Sequence, residues 1–373
     1  MTASRLEIDL TKIRHNALAL VNLLGSCGIS VSGVTKAVLG LPDIARELLA
    51  AGVSGLADSR IENIQTMRRA AVKAPMMLLR SPMISQASLV VTNTDISLNT
   101  ELDVISELSK AAQALGREHG ILLMVELGDL REGIMPADLE NVVRRTLRFP
   151  NIALKGIGPN LACRCGVAPD AVNMGELSRL ADAIDATFGP VLTIVSGGNS
   201  SNLEWVLSGA DTGRINNLRL GESILLGCEP LHREPIEGLY TNAITLVAEV
   251  IESKVKPSQP WGKVAQTAFG AVMPAENYGS ISQAIFALGH MDTDPAGLTP
   301  PPGLEILGSS SDHLIVASGQ DHLPVGTEVT FQLNYSALVR AMASPFVAKR
   351  FDQDTNKDKH FSASVSGVFH LNS

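Results

Sequence analysis

At 373 residues the chain is too long for one ordinary hydrophobic core, so two domains are expected. With 45% hydrophobic and 18% charged residues it is far from the composition of a disordered chain, and a formal net charge of −8 leaves no basic face for nucleic acid. The four cysteines (Cys27, Cys163, Cys165, Cys228) form no disulfide-like framework, the N-terminus has no apolar signal core, and no stretch of 18 apolar residues occurs. A cytoplasmic protein that does not enter a membrane is the expectation.

A helix over Leu10–Leu24 opens the chain. Short apolar strands follow near Ile29–Val34, Val53–Ala57, Met76–Leu79, Asp95–Leu98, Ile121–Glu126, Ala153–Gly158, Val191–Val195 and Ile215–Leu220. Amphipathic helical stretches fall between them at Pro42–Ala51, Arg60–Ala71, Ser85–Val90, Thr100–Leu115, Ala137–Leu147, Ala171–Thr187 and Asn202–Leu207. Each strand is apolar on both faces, and parallel strands need such helical crossovers, so the pattern predicts a (β/α)8 barrel over residues 1–233. An open doubly wound sheet is the runner-up. It would want a Gly-x-Gly-x-x-Gly turn after the first strand, and none is present. After about residue 235 the texture becomes short β runs separated by Pro and Gly turns, predicting a smaller, mainly β domain over 234–350. Residues 351–373 are polar with some alternation and are expected to be a tail or an extra strand.

Polar groups gather at the C-terminal ends of the predicted barrel strands, where such barrels build their sites. Lys36 follows the first strand, Arg131 the fifth and Asn160 the sixth; the turn Ser196-Gly197-Gly198-Asn199-Ser200-Ser201 follows the seventh and Arg219-Leu220-Gly221-Glu222 the eighth. Loops after the last two strands of such barrels are the habitual phosphate site, because exposed backbone N–H groups and hydroxyls there wrap an anion. A lysine, a phosphate-sized cradle and an arginine at one rim are the parts needed to hold pyridoxal phosphate (PLP). Cys163-Arg164-Cys165 is a thiol pair without a second pair, so no metal is expected there.

The chain resembles the alanine racemase family of PLP enzymes, and within it the ornithine racemase branch. The segments that carry the resemblance include Leu6 to Asn16, Gly33 to Ala37, Asp58 to Asn63, Gly128 to Gly133, Asn160 to Cys163, Ser196 to Ser201, Arg219 to Glu222 and Ser310 to Leu314. The resemblance implies a barrel followed by a β domain, a head-to-tail homodimer and racemisation of a small-molecule amino acid by two bases. It implies Lys36 as the lysine carrying PLP as an internal aldimine. Ser200, with Gly198, Asn199, Ser201 and the backbone of Gly221 and Glu222, would hold the phosphate, and Arg219 would face the ring nitrogen. Arg131 would steady the substrate carboxylate or the cofactor phenolate, Asn160 would lie near the cofactor face, and Tyr335 would reach the phosphate.

Alanine racemases take their second base from a tyrosine in the β domain, and the comparable stretch here, Gly262 to Gly270, contains none. Thr267 by position, His313, Tyr278 and Asp312 are the candidates, with His313 closest to neutrality in its ordinary pKa. A metal-assisted D-hydroxy amino-acid aldolase using His290, Asp292, Asp312 and His313 is one alternative. A non-enzymatic PLP-binding protein is another, against which the extra β domain counts. The substrate stays open between a basic amino acid such as ornithine and a small one such as alanine or serine.

Overall fold

The structure, a computed structural model, describes residues 4–269, 279–319 and 322–352. Strand β1 (Arg5–Asp9) and helix α1 (Leu10–Gly25) come first, with the Asp9 carboxylate capping α1 by accepting from Lys12 N at 2.9 Å. Then come β2 (Ser30–Val34), α2 (Pro42–Ala50), β3 (Gly55–Asp58), α3 (Ile61–Arg69), β4 (Met76–Leu78), α4 (Ala87–Asn93), β5 (Ile96–Asn99) and α5 (Leu102–Ala114). The series continues with β6 (His119–Met124), α6 (Leu139–Thr146), β7 (Ile152–Gly158), α7 (Ala171–Phe188), β8 (Ile194–Gly198), α8 (Asn202–Leu207), β9 (Asn217–Leu220) and α9 (Glu222–Leu226). Strands β2 to β9 pair in parallel in chain order and close into a barrel through β9 against β2. This is the (β/α)8 architecture that the alternating pattern predicts.

Two apolar clusters divide the work. Val34, Ala57, Met77, Leu98, Leu122 and Met124 fill the barrel interior. A far larger cluster lies between the strands, the surrounding helices and the β domain. Alternation along each strand sends residues alternately to these two cores, which is why every barrel strand is apolar on both faces. Neither core is wholly apolar. On the helix side of the strands Ser97 Oγ meets His119 Nε2 at 2.8 Å and receives Asn99 Nδ2 at 2.9 Å, all three side chains being buried. Inside the barrel Asn217 links Ser32 (3.1 Å) to Ser196 (2.9 Å).

The C-terminal part contains β10 (Ile244–Pro257), β11 (Ser280–Phe286), β12 (Leu298–Thr299), β13 (Glu305–Ser309), β14 (Leu314–Ala317), β15 (Glu328–Leu333), α10 (Tyr335–Ala343) and β16 (Ala348–Asp352). Its curled antiparallel sheet runs β12-β15-β10-β11-β14-β13. Two features differ from the sequence reading. The N-terminal strand β1 belongs to this sheet, antiparallel to β10 and parallel to β16, with Leu6 and Ile8 fully buried. Helix α10 interrupts the β texture; Asn334 Oδ1 caps it by accepting from Ala337 N at 2.9 Å, and Ala337, Leu338, Ala341 and Met342 bury one face. That helix packs against the short turn Lys36–Val38 after β2, and so brings the C-terminal part to the barrel mouth. Residues 353–373, most of the expected tail, and Tyr278 lie outside the described residues.

Candidate active site

A cavity of about 630 Å³ opens at the C-terminal ends of the barrel strands. Of the residues singled out in the sequence, Lys36, Arg131, Asn160, Asn199, Ser200, Arg219, Gly221, Glu222 and Tyr335 line it. Ser196, Gly198 and Ser201 stand behind that wall. His313 and Thr267 do not join them: both are exposed, and His313 sits in the β13–β14 turn with its ring beside Ser310 Oγ at 3.3 Å. Asp312 is exposed in the same turn. His290 Nε2 meets Ser309 Oγ at 2.9 Å and stacks on Phe269, and among the described residues no three His, Cys, Asp or Glu side chains form a metal-sized group.

Lys36 begins a single 3-10 turn that leaves β2, and Leu39 closes it in the left-handed region at φ 53°. The residue before the lysine is pinned. Thr35 Oγ1 donates to the buried Asp58 carboxylate at 2.7 Å, and Asp58 also accepts from Arg60 N (2.9 Å) and Asn63 Nδ2 (3.0 Å). Burial pushes the Lys36 ammonium below the ordinary lysine range. Cys163 pulls it back up, Arg131 pushes it further down, and the nearby Asp58 carboxylate favours the charged form. The result is an amine poised to lose its proton more readily than a surface lysine.

Arg219 is a fully buried cation. Its guanidinium donates to Ser196 Oγ and, at 2.7 Å, to the Pro159 carbonyl, so among the described residues its hydrogen-bond partners are neutral. Burial lowers its pKa to about 10, with Glu132 opposing that shift and Arg131 adding to it. Beside it, Ser200 Oγ receives Ser223 N at 3.3 Å and lies 3.0 Å from Ser223 Oγ. Asn199 Nδ2 donates to the Leu161 carbonyl at 2.9 Å, tying the loop after β8 to the loop after β7.

The opposite wall is built by two crossed loops. Arg131 grips Glu132 with Nε and Nη2, and its Nη1 donates to Cys163 Sγ at 2.7 Å. The Asn160 amide stands between Arg131 and Asn199: with its oxygen toward the guanidinium it accepts at 3.1 and 3.2 Å, the orientation favoured by the charge. Asp129, almost wholly buried, accepts from three successive amides, Cys163 N (3.3 Å), Arg164 N (2.9 Å) and Cys165 N (3.0 Å). Gly133 lets its loop fold back over Glu126, because a Cβ there would run into the Glu126 backbone. Glu222 is part-buried, which pushes its carboxyl up against the stabilising donation from Arg233 Nη1 at 2.6 Å.

The profile "Alanine racemase, N-terminal domain" matches residues 8–230. The chain is 40% identical to the ornithine racemase of Acetoanaerobium sticklandii over 92% of this chain and 98% of that one. It is 36% identical to the lysine racemase of Thermotoga maritima over 94% and 99%. The chain belongs to the alanine racemase family. Solved structures share the fold of this amino-acid racemase at low identity. The alanine racemase of Streptomyces coelicolor A3(2) matches with TM-score 0.73 and 18% identity over 94% of this chain and 98% of that one. The D-threonine aldolase of Filomicrobium marinum matches with TM-score 0.72 and 14% identity over 91% and 88%.

The residues of this racemase fit PLP, the cofactor of its family. The Ser201 hydroxyl is buried next to Ser200 and has no hydrogen-bond partner among the described residues, a donor that a phosphate would satisfy. Arg219, with only neutral partners, has donor capacity left for an acceptor such as a ring nitrogen. Sequence reasoning gave no role to Asp58, Ser59, Arg80, Ser81, Ser223, Arg233 or, beyond its place in the resemblance, Cys163. Asp58 and Cys163 carried a signal, since both fall in segments the family shares.

Proposed function

We propose that this racemase is PLP-dependent and acts on a basic amino acid, ornithine or lysine. The observation that carries the reading is the part-buried Lys36 amine on the wall of one cavity with Arg219 and Ser200, in a chain 40% identical to an ornithine racemase along nearly its whole length. Lys36 would hold the cofactor through Nζ. Ser200, Asn199, Ser201, the Gly198 turn, the backbone of Gly221 and Glu222, and the Tyr335 hydroxyl would hold its phosphate. Ser196 supports Arg219, which would donate to the ring nitrogen. Bound there, PLP would supply the conjugated system that stores the electron pair left when the substrate's α C–H bond breaks.

The chain's own residues do the rest. A guanidinium is a permanent donor, so Arg219 keeps the atom it faces unprotonated and favours prompt return of a proton to the α-carbon. Arg131 and Asn160 orient the substrate carboxylate. Lys36, once released, takes or returns the α-proton on one face. Glu132 and Glu222 are the carboxylates on the cavity wall, where a distal ammonium would compete for them with Arg131 and Arg233. The reading includes a head-to-tail homodimer, supported by three exposed apolar side chains in one segment of the β domain, Trp261 (95% exposed), Val264 and Phe269. Thr267 lies in the same segment, and a partner subunit is the route by which it or His313 would reach a cavity. Four unpaired cysteines support a cytoplasmic setting. No described helix is long and apolar enough to cross a membrane.

The test is α-deuterium uptake in D2O with added PLP and chiral separation, across L-ornithine, L-lysine, L-arginine, L-alanine and L-serine. Uptake with inversion is expected for ornithine and lysine ahead of alanine and serine. Absence of exchange with every amino acid would end the PLP racemase reading. Preference for alanine would overturn the basic-substrate part alone.

A further inference from the structure

Two-base racemisation needs a second proton carrier across the substrate from Lys36, and among the described residues of this chain neither His313 nor Thr267 reaches the cavity. Beside the arginines and the weakly acidic hydroxyls of Ser59, Ser81 and Ser200, the cavity wall carries five side chains with a dissociable proton: Lys36, Cys163, Tyr335, Glu132 and Glu222. Glu132 is held by Arg131 and Glu222 by Arg233, so each carboxylate already answers a cation. The Tyr335 phenol is pushed above its ordinary range, by burial first and then by Glu222, Cys163 and Asp58. It keeps its proton throughout the neutral range. Cys163 is left.

Its setting is built. Ala162, immediately before it, is held in the left-handed region at φ 53°, a conformation that strains a non-glycine residue. The three amides that follow converge on Asp129, so the strained turn is locked. The turn presents the thiol to the cavity and to solvent, with Sγ 2.7 Å from Arg131 Nη1. Position in the barrel matters equally. Lys36 follows β2 and Cys163 follows β7, and around the closed ring β2-β3-β4-β5-β6-β7-β8-β9 those strands are separated by β8 and β9 on one side and by four strands on the other. The two side chains enter the mouth from well-separated sectors.

We propose that Cys163 is the second proton carrier, acting on the face of the substrate α-carbon opposite Lys36, with Arg131 as the cation that holds its thiolate. This rests on the PLP racemase reading above. In one direction the Cys163 thiolate takes the α-proton: an S–H bond forms and the Cα–H bond breaks. The Lys36 ammonium then gives a proton to the other face, so that an N–H bond breaks and a new Cα–H bond forms. The reverse direction exchanges the two roles. Proton balance closes once the thiol and the amine re-equilibrate with water, which reaches the exposed sulfur.

The test uses the PLP-loaded enzyme and follows inversion and α-deuterium uptake separately on each antipode of the substrate. In Cys163→Ser and Cys163→Ala inversion is expected to fall about 10²- to 10⁴-fold. Uptake without inversion should persist for the antipode whose proton Lys36 removes and vanish for the other. A merely structural role would lower uptake from both antipodes together, and unchanged inversion would assign the second base elsewhere; either result overturns the proposal. If the variants do not load cofactor, wild-type enzyme alkylated with iodoacetamide is examined by mass spectrometry. Modification at Cys163 should abolish inversion with the same one-sided uptake, and modification that spares inversion overturns the proposal. Failure of the underlying reading looks different, since wild-type enzyme would then show no uptake from either antipode.

Discussion

His119 shows how one side chain can set the acid limit of the fold. It is fully buried at the start of β6 with Nε2 against Ser97 Oγ, and burial, with Arg117 adding to it, lowers its pKa to about 4 from an ordinary 6.5. A histidine whose folded pKa is depressed binds fewer protons in the folded than in the unfolded chain between those two values. Stability is therefore full above about 6.5 and is lost as pH falls toward 4, by about 3 kcal/mol. His119→Gln, which can keep the bond to Ser97 without titrating, is expected to lose correspondingly less stability between those pH values in denaturant titrations. Equal acid sensitivity in the two proteins would place the effect on other groups. Ser97, His119 and Asn99 lie on the helix side of the barrel strands and none of them lines the cavity, so the same substitution leaves the cavity wall untouched.

At the scale of elements, the loops after β6 and β7 act as one unit because a single carboxylate ties them. Asp129 comes from the first loop and the amides of Cys163, Arg164 and Cys165 from the second. Hydrogen bonds to a buried charge contribute on the order of 2 kcal/mol each. Asp129→Asn, which leaves a neutral acceptor, is expected to lower kcat/KM about tenfold and to speed amide hydrogen exchange at residues 163–165. Unchanged exchange there would separate the loop from the carboxylate. This clasp also marks the limit of what the sequence tells. The barrel strands were legible because each is apolar on both faces and followed by a helix of matching length. The rim residues Lys36, Arg131, Asn160, Ser200 and Arg219 follow from those strand ends. A nest of backbone amides has no composition of its own, and neither does the left-handed turn at Ala162. Strand β1, five residues long, has its partners at the far end of the chain. Helix α10, nine residues long, buries only one narrow face.

For the molecule as a whole, β1 is what joins first to last. Arg5 forks onto Glu328 with Nη1 at 2.7 Å and Nη2 at 2.8 Å, while Leu6 and Ile8 enter the large core. Ile8→Ala is expected to destabilise the protein by about 2–5 kcal/mol in denaturant unfolding, the range for deleting buried methyl groups. The loss should strike both parts of the fold, because the core that Ile8 enters runs on into the barrel layer. Two separated transitions, with the barrel unaffected, would contradict a shared core. Helix α10 makes the same connection from the other side, bringing Tyr335 to the wall that contains Lys36.

The placement of β1 also imposes an order in time. It leaves the ribosome ahead of the barrel, yet its antiparallel neighbour begins about 240 residues later and its parallel neighbour about 340 residues later, which is on the order of tens of seconds of elongation. The barrel needs neither neighbour in order to pair its own strands and can close while β1 still hangs outside. For that interval the nascent chain carries an amphipathic ribbon, Leu6 and Ile8 alternating with Arg5, Glu7 and Asp9, with both edges bare and open to capture by other chains. Release comes only when β16 emerges, so the last strand described is the one that puts the first in place.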